Sequence, residues 1–133
     1  MAKRDILFRG WNKINKKWLY GYYFVNRGIH FISPDGFANP LDSYEDYVVE
    51  ADTVGQYTGL KDAKGMRIFE GDIIESCGYC HAIQYKEGDA RFVAPIKGTS
   101  YATCGIIQQW INESGKVVTR NVHEDSELIK TEL

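Results

Sequence analysis

The sequence predicts a mainly β protein, α+β at most: an N-terminal antiparallel meander, then a small, partly open β-barrel and a short C-terminal helix. Three observations carry that expectation. Aromatic residues make up 14% of the chain, and wide rings suit the pleated surface of a sheet. Several segments alternate in character with a period of two, the spacing of a strand with unlike faces. Gly, Asn, Asp and Pro recur between those segments and mark chain reversals.

Residues 5–11 (DILFRGW) form the first β-prone run, and the stretch 12–17 (NKINKK) is polar enough for a loop or a hairpin end. Residues 18–25 (WLYGYYFV) are the most strand-like in the chain. Trp18, Tyr20, Tyr22 and Phe24 fall on one face, and Leu19, Gly21, Tyr23 and Val25 on the other. Rings and aliphatics on both sides predict two partly covered faces, as in a central strand or an oligomer contact. Asn26-Arg27-Gly28 turns the chain, residues 29–33 (IHFIS) return as a third strand, and 33–40 (SPDGFANP) end the meander. Residues 41–52 (LDSYEDYVVEAD) are acidic, with one or two helical turns over 43–48 or a strand starting at Val48-Val49.

Residues 53–75 (TVGQYTGLKDAKGMRIFEGDIIE) organise the C-terminal half of the chain. The alternation of Val54, Gln56 and Thr58 reads as a strand. Asp62-Ala63-Lys64-Gly65 is a turn, with Asp bonding its own downstream backbone and Gly accepting a positive φ. Residues 66–69 run back, Glu70-Gly71-Asp72 redirects the chain, and Ile73-Ile74 opens another strand. This pattern resembles the diverging turn of SH3-like barrels, which marks a backbone shape and not an activity. Two further strands meet at residues 77–80, residues 86–89 turn, and 90–94 run on. Residues 101–111 suit a strand or a short helix, 116–122 a last strand, and 123–129 a short C-terminal helix.

A length of 133 residues suits one domain over 1–133, with sub-lobes at 1–50 and 51–133. A net charge of −2 sets up no global field that demands nucleic acid or membrane. Residues 1–5 are polar with no apolar run behind them, unlike a signal peptide, and no stretch is long enough to span a bilayer. Three cysteines, an odd number, fit a reducing compartment better than a disulfide framework. The expectation is a soluble protein of the cytoplasm.

Two groups of residues are candidates for chemistry. The first is the basic, aromatic meander, where Lys3, Arg4, Arg9, Lys13, Lys16, Lys17 and Arg27 oppose only Asp5. Arg9, Lys13, Lys16 and Lys17, interleaved with Trp18, Tyr20 and Tyr22, make a candidate stacking platform for single-stranded nucleic acid. The alternative is a solvated charge set that guards an edge strand. The acidic stretch 41–52 reads as a solvated face, or as a partner for that meander within the chain or across subunits. The second group is Cys77-x-x-Cys80, which has half the spacing of a tetrahedral zinc site, with His81, Cys104 or His123 to complete it. No second CxxC or HxxxH exists, so the bland reading is a hairpin tip with incidental cysteines. No cofactor is expected. The nucleophile-elbow, phosphate-loop and HExxH patterns are missing, and Asp72 is expected to bond backbone N–H groups in its own corner, so no enzyme is expected.

Taken together, FRGW, the 53–75 block and the tail 121–128 (NVHEDSEL) resemble the YopX family of phage and prophage proteins. Arg120 stands where that family usually has Gly, and Asp125-Ser126 where it has Asn-Pro. The resemblance implies a phage-encoded, mainly β protein acting in the bacterial host cytoplasm, and it carries no catalytic or binding residues with it. The expected function is a non-enzymatic β module that oligomerises or contacts a host or phage protein. The alternative is nucleic-acid binding through the meander or the barrel.

Overall fold

The computed structural model describes residues 5–34, 44–76, 79–94, 108–113 and 117–125. The chain divides into two compact units, one built on Met1–Tyr57 and one on Thr58–Ser126. In the first unit β1 (Phe8–Asn12), β2 (Lys17–Asn26) and β3 (Ile29–Ser33) form the expected antiparallel meander. The division falls later than residue 50 because the next strand, β4 (Gly55–Lys61), opens against β1, pairing Gln56 with Phe8 and Gly55 with Arg9. The order is therefore β3-β2-β1-β4.

Local chemistry sets the strand ends. Asn12, expected in the loop, is instead the buried last residue of β1. Its Nδ2 donates to the carbonyls of Glu45 (2.9 Å) and Val48 (2.8 Å), and its Oδ1 accepts the Asn15 N–H at 2.6 Å. A polar side chain fully occupied by backbone groups sits in the interior without a desolvation penalty. The β2–β3 reversal uses Arg27 (φ 53°) and Gly28 (φ 77°), the left-handed pair whose twist matches an antiparallel hairpin. The acidic stretch gives one helical turn, α1 (Tyr44–Tyr47), and then Val48 bridges to Phe31. The helical reading of that stretch holds for one turn, and the strand reading reduces to the single bridge at Val48.

The core of this unit is Leu19, Ile32 and Val49, with Phe8, Tyr23 and Val54 packed on it. Two glycines allow the close packing. A Cβ on Gly21 (φ +153°) would lie 2.4 Å from the Ser33 carbonyl oxygen, and one on Gly10 would lie 2.9 Å from Val49 Cβ.

In the second unit the later half of β4 is flanked by β5 (Arg67–Phe69). Then come β6 (Asp72–Ser76), β7 (Tyr79–Ala82), β8 (Gln84–Lys86), β9 (Arg91–Val93), α2 (Gln108–Glu113) and β10 (Val118–Asn121). β10, β6 and β7 make one three-stranded sheet, and β8 and β9 a separate hairpin. Among the described residues these sheets form no closed barrel, and the expected mainly β, antiparallel class holds. Ile68, Ile74, Ile83, Ala94 and Ile111 form the core, with Leu60 and Val118 against it. Ile111 comes from α2, so the ambiguous run near 108–111 is helical there.

The 53–75 block behaves as corner chemistry. Asp62 Oδ1 accepts the N–H groups of Lys64 and Met66 (both 2.9 Å), and Oδ2 accepts that of Val118 at 3.0 Å. Asp72 Oδ2 accepts the Phe69 N–H at 2.8 Å. Between these residues Gly71 (φ 92°) donates to the Ile83 carbonyl and accepts the Val122 N–H, both at 2.8 Å. Asn121 Oδ1 accepts from His123 and Glu124, closing a short 3-10 turn over Val122–Asp125. That turn begins where the C-terminal helix was expected; residues 126–129 lie outside the described residues.

Candidate functional site

The exposed surface with the most chemistry is the outer face of β2. Alternation along the strand buries Leu19 and Gly21 and leaves Tyr20 and Tyr22 48% and 51% exposed. The two partly covered faces expected are found, but they are covered unequally for a physical reason. The layer that packs the first unit, Val49 and Val54, lies on the Leu19–Ile32 side, and rings on the other side are covered only in part. At one end of the stripe Trp18 meets Trp11 edge-on (5.5 Å, 65°). At the other, Phe24 stacks on Phe31 (5.2 Å, 19°), which also meets Tyr44 edge-on.

The basic candidates separate. Arg9 pairs with Tyr20 in the β1–β2 register, but its side chain is only 5% exposed and its guanidinium lies 5.0 Å from the Trp18 ring centroid. There it supports the indole by a cation–π contact and does not present charge to a ligand. Lys13, Lys16 and Lys17 are exposed at the β1–β2 reversal, just before Trp18. This hairpin shares its surroundings with the acidic turn. Asn15 Nδ2 donates to the Glu45 carbonyl (3.3 Å) and to Asp46 Oδ1 (3.4 Å). Acidic stretch and meander therefore meet within one chain. The sequence puts Trp18, Tyr20 and Tyr22 on one face but does not foretell the acidic turn beside Asn15, since nothing local links position 15 to 45.

The cysteine candidates do not converge among the described residues. Cys77 and Cys104 lie outside them. Cys80 is a half-buried free thiol in β7, opposite Glu75, and His81 is buried opposite Ile74 with its Nδ1 2.9 Å from the Ala94 carbonyl oxygen. Neighbours on one strand point to opposite faces, so Cys80 and His81 diverge. No group of three or more His, Cys, Asp or Glu among the described residues is placed to hold a metal ion. No helix among them is long and apolar enough to cross a membrane.

With the geometry in place, the relatives can be set beside it. The family model described as "YopX protein" matches residues 7–130, nearly the whole chain. Among solved structures the chain is similar to the crystal structure of protein EF1440 from Enterococcus faecalis, at 25% identity and a TM-score of 0.52, covering 96% of this chain and 99% of that one. Among curated proteins none matches. The chain belongs to the YopX family.

Proposed function

We propose that the protein is a non-enzymatic, phage-encoded binding module whose working surface is the aromatic outer face of β2, and that its partner is another protein. The observation that carries this reading is the pair Tyr20 and Tyr22, half exposed on a strand whose intervening residues Leu19 and Gly21 are buried. Tyrosine offers a large contact area at low conformational-entropy cost, and a sheet holds it in place before the partner arrives. Trp18, braced by Arg9 and Trp11, extends the rigid stripe. The test is capture from infected host cells with wild-type protein and with the Tyr20→Ser/Tyr22→Ser variant. A protein retained by the first and lost by the second supports the reading; identical captures defeat it.

Nucleic acid is the second reading, favoured by the exposed Lys13, Lys16 and Lys17 next to Trp18. Against it stand the burial of Arg9 and the Asp46 carboxylate held at Asn15 of the same hairpin, whose charge opposes a phosphate backbone. Gel-shift over a salt series with single- and double-stranded DNA and RNA decides. A shift that fades steeply as salt rises supports this reading, and no shift at low salt removes it.

A further inference from the structure

The turn between β4 and β5 carries a second surface, independent of the β2 face. Its backbone is held by a closed set of bonds: Asp62 N–H to the Met66 carbonyl (2.8 Å), Gly65 N–H to the Asp62 carbonyl (2.9 Å), and the two N–H groups on Asp62 Oδ1. This fixes what the turn shows to solvent. Asp62 is the only acid between Lys61 and Phe69, and its carboxylate is buried and engaged with three backbone donors. The outward groups are therefore Lys61, Lys64 and Arg67 around Met66, which is 64% exposed. A rigid, cationic turn tipped by a large apolar side chain loses little entropy on docking, and the thioether is an adaptable contact with a liking for aromatic rings.

The same chain displays the complementary surface. Tyr44, Glu45, Asp46 and Asp52 are all exposed around α1 and the turn after it. The ammonium groups of Lys61 and Lys64 make no ion pair with a described residue, and neither do the carboxylates of Glu45 and Asp52. The β1–β2 hairpin is a poorer match for this acidic segment. It already lies against this segment in its own chain, Asn15 Nδ2 donating to the Glu45 carbonyl and to Asp46 Oδ1.

We infer that the Lys61–Arg67 turn of one copy docks on the Tyr44–Asp52 acidic segment of another, with Met66 against Tyr44 and Lys61 and Lys64 against the carboxylates. Two different patches meet, so the contact is heterologous and builds either a closed ring or an open chain.

Light scattering at high protein concentration tests it. Wild type at low salt should show at least a doubled mass, falling to the monomer value at about 1 M salt, where the screening length is about 3 Å. Lys61→Glu/Lys64→Glu and Glu45→Lys/Asp52→Lys should each be monomeric alone, and mixing them should restore association, because each supplies the charge the other now needs. Met66→Ser should weaken association several-fold, while Tyr20→Ser/Tyr22→Ser should leave it unchanged, which separates this contact from the β2 surface. Recovery on mixing also requires both variants to be folded. A wild type that is monomeric at low salt, association that survives either reversal, or a mixture that stays monomeric would each overturn the inference. So would loss on Lys13→Glu/Lys17→Glu without loss on the tip variant. A monomer whose only tip-dependent ligand is a single-stranded DNA oligomer would overturn it in favour of nucleic acid.

Discussion

The two units reverse the chain by different means. In the first, β2 returns as β3 through Arg27 and Gly28 in left-handed geometry, and packing is tightened by Gly10 and Gly21, whose missing side chains let Val49 and Ser33 come close. In the second, buried carboxylates and amides do the work: Asp62 gathers three backbone donors, Asp72 takes the Phe69 N–H, and Asn121 caps the final turn. Both devices occur in each unit, since Asn12 Oδ1 takes the Asn15 N–H in the first and Gly71 has φ 92° in the second, but the first leans on missing side chains and the second on added acceptors. The difference teaches how to read the family's shared block. Asp62, Gly71 and Asp72 in that block are accounted for by corner geometry.

Substitutions can break or sharpen this contrast. The largest effect is expected for Gly21→Ala, whose Cβ would meet the Ser33 oxygen at 2.4 Å in a φ of +153°; overpacking plus backbone strain should cost about 4 kcal/mol in urea unfolding. Asp62→Ala should cost about 3 kcal/mol, because three donors lose their acceptor, and Asp62→Asn less, since the retained oxygen still serves Lys64 and Met66. Hydrogen exchange should quicken at the amides of Lys64, Met66 and Val118 together. If only one responds, the shared-acceptor account fails. Gly10→Ala should cost about 2 kcal/mol through its contact with Val49. The double variant Gly10→Ala/Val49→Ala should then be less destabilised than the sum of the two single changes, a coupling that absent contact would not give. Smallest of all, Tyr20→Ser/Tyr22→Ser should shift stability by less than about 1 kcal/mol, as expected of exposed positions. A larger loss would make the β2 face part of the fold instead of a free surface.

Much of this architecture is legible in the residues, because period-two alternation and turn chemistry are local. The third strand over Ile29–Ser33, the Asn26-Arg27-Gly28 turn, the Asp62–Gly65 turn and the bonding of Asp72 into its own corner could all be read directly. What escaped reading depends on distant partners. Asn12 looks like loop chemistry until Glu45 and Val48 supply its acceptors. Arg9 looks like a phosphate contact until Trp18 covers it. For the candidate surface, the sequence placed the three rings on one side of β2, but their exposure depends on which side the core occupies.

Gln108 carries one more consequence. Its side-chain amide donates to the Lys61 carbonyl (2.6 Å) and accepts the Lys61 N–H (3.0 Å), as a neighbouring strand's peptide would. A single side chain thereby blocks a stretch of sheet margin that would otherwise invite a foreign strand. Only a primary amide offers both poles in that order; a carboxylate or an aliphatic at this position would leave the margin open. That one amide thus does for Lys61 what a further strand would do.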